Sequence, residues 1–321
     1  MKQAKTSKVT MFAGTPIDEN VYYMASTLDN LDSDINFTRL FTYDDQATAS
    51  KQWFHHDLPD WAVVSTCLIP GSNNMPRKVC ALSEEGDIEI CSSAGRVVEK
   101  IKDAGLYGTG KNLGYLNRIR HIECNLFACG YNGQIYKRTS HSWELFNLGI
   151  PCQVRTQPTL NSETKIDLLD INGQEASSIY TVGDEGFIAH YDGTKWSTLP
   201  IITKACLYGI FIDSNGETWI TGSNGTILQG SSKNGFHVIQ RKPLDCDFYS
   251  MTEFNGHHYI GASDGVYLLS NNRLSKISLP HPATEIDSID VINNILWALG
   301  SKHLMRFDGL TWQIIEHIDN I

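Results

Sequence analysis

The chain has 321 residues and a formal net charge of −10, with 41% hydrophobic, 10% aromatic and 19% charged residues. A charged fraction below the usual value of about 25%, combined with many aromatic residues, excludes an intrinsically disordered chain. No run approaches the roughly 18 apolar residues of a membrane helix, and the basic start precedes no apolar signal-peptide core. We therefore expect a globular protein of the cytoplasm with no membrane partner.

One motif recurs along the chain. It consists of a short apolar run, a tight turn containing glycine, a second apolar run, a polar turn and often a tryptophan that begins a third run. A degenerate copy at the N-terminus covers residues 9–58, with a polar insertion at 27–36, and another at the C-terminus covers 286–316. Between them lie five clear copies, aligned on the turn glycines Gly86, Gly133, Gly186, Gly225 and Gly265.

The turns and their spacing predict the architecture. Asn-Gly, Asp-Gly and Glu-Gly before alternating strands are typical of hairpins, because glycine supplies positive φ without steric cost. A further apolar run precedes each copy, so each unit has four strands. The anchor glycines lie 39 to 53 residues apart, which is the period of propeller blades. We predict an all-β chain that forms a single β-propeller domain over residues 1–321, with seven blades and with six or eight as alternatives.

At this level the chain resembles β-propellers of the kelch, sialidase-like and WD-type repeat superfamilies over essentially its whole length. The Asp-Gly-x-x-Trp turns at 192–196 and 308–312 are similar to part of the sialidase Asp box. The WD dipeptide and the double glycine of kelch repeats are missing. The resemblance therefore implies a fold and leaves the function to particular sites.

In a propeller, the turns between second and third strands share one face with the connections between blades. In this chain both sets of segments are rich in carboxylates, which predicts a negative surface that attracts a basic protein; the alternative is that these acids only solubilise the turns. Two aromatic residues, one at a turn tip and one at a blade junction, are candidate anchors. The predicted partner-binding residues are Glu84, Glu85, Asp87, Tyr131, Asp184, Glu185, Asp264, Asp60, Trp61, Asp245 and Asp247.

No catalytic, metal or cofactor site is predicted. The adjacent histidines at 55–56 and 257–258 would point to opposite faces of a strand, and no HExxH, P-loop or nucleophile-elbow motif occurs. The net negative charge disfavours nucleic acid as a partner. The eight cysteines contain no CxxC pair, so we expect reduced thiols, several of them buried in apolar runs.

In overall character this small, acidic propeller resembles the propeller-type immunity proteins of bacterial contact-dependent growth-inhibition systems. The resemblance implies binding to one basic partner, a cognate toxin nuclease of the EndoU type or another RNase, whose active site is covered. Because a closed ring leaves few free strand edges, we expect a monomer. Two alternatives remain open. One is a glycosidase or lyase that uses carboxylates at the propeller axis, and the other is a scaffold for several proteins.

Overall fold

The computed structural model describes residues 7–72, 75–151, 166–240, 242–280 and 285–320. The chain forms seven four-stranded antiparallel sheets arranged as blades, each built from four consecutive strands. The prediction of seven blades is confirmed. Blades 1 to 4 comprise β1 Val9–Pro16, β2 Val21–Leu28, β3 Phe37–Asp44, β4 Trp53–Pro59; β5 Val63–Ile69, β6 Lys78–Ser83, β7 Asp87–Ser92, β8 Gly95–Lys100; β9 Leu116–Ile122, β10 Asn125–Gly130, β11 Ile135–Thr139, β12 Ser142–Leu145; and β13 Leu168–Glu175, β14 Ser178–Gly183, β15 Ile188–Tyr191, β16 Trp196–Thr198.

The remaining three blades complete the ring, and the first strand of every blade lies innermost. Blades 5 to 7 comprise β17 Leu207–Ile212, β18 Thr218–Gly222, β19 Thr226–Ser231, β20 Gly235–Val238; β21 Phe248–Phe254, β22 His257–Ala262, β23 Gly265–Ser270, β24 Arg273–Lys276; and β25 Ile286–Ile292, β26 Ile295–Gly300, β27 His303–Phe307, β28 Trp312–Glu316. Adjacent inner strands contact one another around the whole ring, from β1 through β25 and back to β1.

The glycine turns that defined the repeat are tight hairpins. In blades 3, 4 and 5 the two central turn residues both have positive φ, for example 57° at Asn132 and 71° at Gly133. A hydrogen bond from the N–H of Gln134 to the carbonyl of Tyr131 closes the first of these turns. This is the type I′ geometry that suits the twist of the flanking strands, and glycine and asparagine adopt it at the lowest cost.

Every inner strand carries a β-bulge at an equivalent position, and β13 has a second register shift between Gly173 and Glu175. The pairing with the second strand skips one residue near the start of every inner strand. A bulge changes the direction in which the side chain of the extra residue points. Each blade therefore has one redirected side chain near the same end of the central channel. The seven bulge residues are Phe12, Val64, Asn117, Leu169, Tyr208, Tyr249 and Asp287.

The hydrophobic core is divided among the blade boundaries. Seven clusters of buried apolar residues are present, and each is drawn from two neighbouring blades. In the boundary between blades 7 and 1, Trp297 packs against Tyr22 with ring centroids 5.3 Å apart, and both residues are completely buried. Burial of apolar surface between successive blades therefore stabilises the ring as a unit.

The ring closes without exchange of a strand between its ends, because blades 1 and 7 are each built from consecutive strands. Instead, the segment after β28 crosses onto blade 1. The side chain of Asn320 accepts a hydrogen bond from the N–H of Val9 at 2.9 Å, and Asp319 lies 3.7 Å from the guanidinium of Arg39. The imidazole of His317 packs edge-on against Phe41 with centroids 4.3 Å apart. These contacts form a C-terminal latch, residues 317–320.

The cysteines and helices agree with the sequence analysis within the described residues. Seven cysteines are free thiols, with Cys80 and Cys129 fully buried, while Cys152 lies outside the described residues. The helical structure seen in the described ranges is a single 3-10 turn at Ala49–Lys51, since the short segments at 131–133, 184–186 and 223–225 are the hairpin turns described above. Over these ranges the chain forms no helix with the length and apolar character needed to span a bilayer.

Candidate functional site

We name the surface formed by the second-to-third strand turns and the interblade connections the connection face. The two kinds of segment are joined by a recurring contact at the residue that precedes an inner strand. Asp167 accepts a hydrogen bond from the N–H of Asn132 at 3.1 Å, and Asp247 accepts one from the N–H of Asn224 at 3.0 Å. Carboxylates at these positions therefore cap the turn of the preceding blade and hold the face rigid.

Three of the predicted acids are exposed on the connection face. Glu185 occupies the positive-φ position of its turn, with φ of 53°, and its side chain is exposed. Asp60 and Asp245 are exposed in the connections that lead to blades 2 and 6. Among the described residues, none of the three carboxylates has an ion-pair partner within 4.0 Å. They are available to a basic partner.

Two other predicted acids are neutralised by lysines of their own blades. Asp87 lies 2.9 Å from the ammonium of Lys100, and Asp264 lies 2.5 Å from that of Lys276. Turn position in the sequence did not indicate these lysines, which belong to the fourth strands β8 and β24. The charges of Asp87 and Asp264 are therefore balanced locally by lysines.

The acids at 84, 85 and 184 are partly engaged in the face itself. The carboxylate of Glu85 accepts hydrogen bonds from the N–H groups of Leu106 at 3.0 Å and Tyr107 at 3.3 Å, and so holds the long connection between blades 2 and 3. Burial raises the pKa of Glu84, and the nearby Glu85 raises it further. Asp184 is half-buried beside the thiol of Cys206.

The two predicted aromatic anchors are both half-buried. The ring of Tyr131 lies 6.3 Å from that of Tyr115, between centroids. Trp61 packs against the core cluster shared by blades 1 and 2, while its carbonyl accepts a hydrogen bond from the hydroxyl of Thr38 at 3.0 Å. Trp61 is therefore held by packing between blades 1 and 2, and only part of its ring is exposed to a partner.

Sequence reasoning missed a set of strongly exposed apolar side chains on the connection face. Tyr107 is 85% exposed, Leu148 75% and Ile201 65%, and they lie in three successive interblade connections. Ile202, beside Ile201, is 38% exposed. Apolar residues inside polar connections were the available signal, since a lone exposed apolar residue is ordinary but several on one face indicate an interface.

The central channel contains a cavity of about 350 Å³ that is lined by all seven inner strands. On the side of blades 3 and 4, Arg120 makes a bidentate ion pair with Asp170 at 3.1 and 3.0 Å. Asp170 also accepts a hydrogen bond from the N–H of Ile210, so its carboxylate joins blades 3, 4 and 5. Arg118 lies farther from the same carboxylate, at 3.4 Å.

On the opposite side, blade 7 presents carboxyl groups to the cavity. Burial and, to a smaller extent, the Glu285 carboxylate raise the pKa of Asp287 to about 7, and Arg118 partly offsets this rise. Burial also raises the pKa of Asp290, which accepts a hydrogen bond from Ser288 at 2.8 Å. Arg120 and Arg118 partly offset the rise in the pKa of Asp290, but within the described residues neither Asp287 nor Asp290 has a cationic group within 4.0 Å.

A separate cluster lies between the outer parts of blades 1 and 2. His56, Glu89 and Cys91 bring their ligand atoms within 4.8 Å of one another, a spacing that suits a metal ion. However, Glu89 already pairs with His56 at 2.6 Å and with the guanidinium of Arg96. Because Arg96 occupies the position of a cation on this carboxylate, the cluster is arranged as a buried ion-pair network.

The fold and the connection face define a class of protein: a seven-bladed propeller with a rigid acidic and apolar surface and a polar channel. The structure is similar to that of virginiamycin B lyase from Staphylococcus aureus, with a TM-score of 0.68, 11% identity and coverage of 93% of this chain and 94% of the lyase. It is also similar to the WD40 propeller domain of Doa1, with a TM-score of 0.64, 14% identity and coverage of 98% and 95%. Identities this low show the fold alone.

One relative is similar in sequence over most of its length. The chain is 25% identical to the immune protein Tsi7 of Pseudomonas aeruginosa over 265 residues, which are 81% of this chain and 82% of Tsi7. No family model matches the chain. Together with the seven-bladed fold, the likeness to Tsi7 confirms the predicted resemblance to propeller-type immunity proteins.

Proposed function

We propose that this protein is an immunity protein that binds a toxin protein and neutralises it through the connection face. The similarity to an immune protein over four fifths of both chains carries the proposal. The connection face supports it, because exposed acids at 60, 185 and 245 lie on the same surface as exposed apolar residues at 107, 148 and 201. Apolar anchors within a charged rim are typical of protein-binding hot spots.

The partner is proposed to be basic, and its chemistry follows from this face. A nuclease domain presents cationic groups to the nucleic-acid phosphates, and carboxylates on a rigid propeller would cover those groups and exclude the substrate. Inhibition by covering requires no turnover, so the protein acts as a stoichiometric inhibitor. We place it as a monomer in the cytoplasm, encoded beside its toxin as in contact-dependent growth-inhibition systems.

The experiment that tests this function uses the toxin domain encoded next to this chain in its source genome. The two proteins are co-expressed, and we expect growth to be rescued and a one-to-one complex to be purified. Association is then measured by stopped flow at several salt concentrations for the wild type and for Asp60→Lys, Glu185→Lys and Asp245→Lys combined. We expect association to be slower by about tenfold or more at low salt. The acids attract a basic partner and speed its association, whereas lysines at the same positions repel it.

The matched control reverses three exposed acids away from the connection face, Glu123, Glu144 and Glu175, which gives the same change in net charge. This control should retain most of the wild-type rate. Failure of the wild type to rescue growth or to bind the toxin would contradict the proposed function. Equal slowing by both triple variants would contradict the assignment of the face.

A further inference from the structure

The channel opening on the connection face combines aromatic rings with carboxylates. Tyr208 and Tyr249 are bulge residues of blades 5 and 6, and their ring centroids are 5.7 Å apart. Burial and the neighbouring Asp247 raise the pKa of Tyr208 to about 12. Tyr249 lies beside Glu285 in the same way, and burial and that carboxylate raise its pKa strongly. We name Tyr208, Asp247, Tyr249, Glu285 and Asp287 the channel mouth.

The charges at the mouth and in the cavity do not balance. Arg120 is matched by Asp170, which Arg118 also approaches. The carboxyl groups of Glu285, Asp287 and Asp290 have no ion pair with any residue in the described ranges. A half-buried carboxyl without a cation is unfavourable in its charged form. A cation placed at the mouth would remove this penalty.

Unmatched polar atoms in the cavity point to an occupant independently of the acids. Thr66 is only 7% exposed and lines the cavity, and its hydroxyl has no hydrogen-bond partner within the described ranges. The hydroxyl of Ser250, which also lines the cavity, is in the same condition. Buried polar groups are normally hydrogen-bonded, so two unmatched hydroxyls around one cavity require an explanation.

A metal ion does not fit this site. Among the described residues, the trio His56, Glu89 and Cys91 between blades 1 and 2 is the one group of three potential ligands with atoms within 4.8 Å. The channel carboxyls are thus too dispersed to share one ion. The inner strand advances about 3.3 Å per residue, so the carboxyls of Asp287 and Asp290 lie at different depths along the channel. A long organic cation can extend past both of them, whereas a single metal ion cannot.

We propose that the channel mouth receives a lysine or arginine side chain from the neutralised toxin, with Asp287 as its ion-pair partner and the Tyr208 and Tyr249 rings beside it. This inference rests on the proposed function and adds to it the part of the partner that is recognised. A cation against an aromatic face gains from the ring quadrupole, and the mouth lies on the same face as the exposed acids. The hydroxyl oxygens of Thr66 and Ser250 can then accept hydrogen bonds from the end of the inserted side chain.

A direct test uses blocked amino acids as probes: N-acetyl-arginine methylamide, N-acetyl-lysine methylamide and, as an anion, N-acetyl-glycinate. Each probe is titrated into protein labelled with ¹³C at tyrosine, and the ring resonances are followed by NMR. We expect the two cationic probes to shift Tyr208 and Tyr249 in the millimolar range. Binding should weaken at least tenfold in Glu285→Gln combined with Asp287→Asn. Preferential binding of the anion would overturn the proposal, since Arg118 would then be the recognising group.

The matched control is Glu144→Gln combined with Glu316→Gln, which changes the net charge equally on outer strands β12 and β28. It should bind the probes as the wild type does. A second variant, Asp287→Lys, places a tethered ammonium at the mouth and should block the cationic probes. Equal weakening in the control, or probe binding unaffected by Asp287→Lys, would refute the site.

The same variants separate this inference from the proposed function. If the wild type neutralises the toxin and the Glu285→Gln, Asp287→Asn variant binds the toxin at least tenfold more weakly, both stand. If that variant binds the toxin with unchanged affinity, the inserted cation is refuted while the immunity function stands. If the wild type binds the cationic probes but no toxin, the proposed function fails and the cation site remains.

Discussion

Asp170 of blade 4 and Arg120 of blade 3 form a bidentate ion pair beside the channel, with N–O distances of 3.1 and 3.0 Å and a fully buried carboxylate. The same carboxylate accepts the N–H of Ile210 in blade 5. The pair is not part of the repeat, because among the inner strands only β13 carries an aspartate at this position. It joins three blades locally, in addition to the apolar packing between successive blades.

Removal of one partner of this pair should be costly. Asp170→Ala leaves the guanidinium of Arg120 buried without a counter-charge, so we expect a loss of about 3–5 kcal/mol in the free energy of unfolding. Arg120→Met should cost a similar amount, and the double variant less than the sum. Urea unfolding measures these values. Asp18→Asn, which breaks an exposed pair with Arg77, is the control and should cost under about 1 kcal/mol. Equal effects at the two sites would contradict this prediction.

The C-terminal latch should make stability depend on pH. Burial and, to a smaller extent, the positive charge of Arg39 lower the pKa of His317 to about 4, whereas an unfolded histidine titrates near 6.5. As pH falls from about 6.5 to 4, the unfolded chain takes up a proton that the folded one does not, so up to about 3 kcal/mol of stability is lost. His317→Phe keeps a ring against Phe41 and should remove this dependence. An unchanged slope of unfolding free energy between pH 4 and 6.5 would contradict the assignment.

The repeat architecture could be predicted because the residues that form the hairpin turns are recognisable in the sequence and recur at a regular spacing. Asn132-Gly133 and Asn224-Gly225 adopt positive φ, as two-residue hairpins require, and the runs around them are short and apolar. The latch was not predictable in this way. Asn320 and His317 act on residues some 300 positions away in sequence, and no periodic pattern connects such positions.

The candidate site was only partly predictable. Turn position placed Glu185 and Asp245 on one face, but it did not show that Lys100 and Lys276 lie beside Asp87 and Asp264. Those lysines belong to the outermost strands, and their reach to the turn depends on side-chain geometry. The channel mouth was missed for a similar reason. The bulges that direct the side chains of Tyr208 and Asp287 depend on the register of strand pairing, which cannot be read from the amino-acid composition.

The buried carboxyl at the mouth has the opposite pH dependence to His317. The pKa of Asp287 is raised to about 7 in the folded protein and is near 3.9 when unfolded. As pH rises from about 4 to 7, the unfolded chain loses this proton first, so stability falls through that window. Asp287→Asn removes the penalty and should stabilise the protein by about 1–3 kcal/mol at pH 8 with little effect near pH 4. Thermal unfolding at both values measures this, and equal effects at pH 4 and 8 would exclude a raised pKa.

The exposed apolar residues of the connection face should contribute to toxin binding without contributing to stability. Tyr107, Leu148 and Ile201 are 65–85% exposed, so Tyr107→Ser, Leu148→Ser and Ile201→Ser should each change the unfolding free energy by about 0.5 kcal/mol or less. If they are buried against the toxin, at least one should weaken binding by tenfold or more, as calorimetry would measure. Leu310 provides the matched control, because it is 89% exposed in a turn on the opposite face. Leu310→Ser should leave the affinity unchanged, and weakening by Leu310→Ser equal to that of the other three would mean that the toxin does not bind through the connection face.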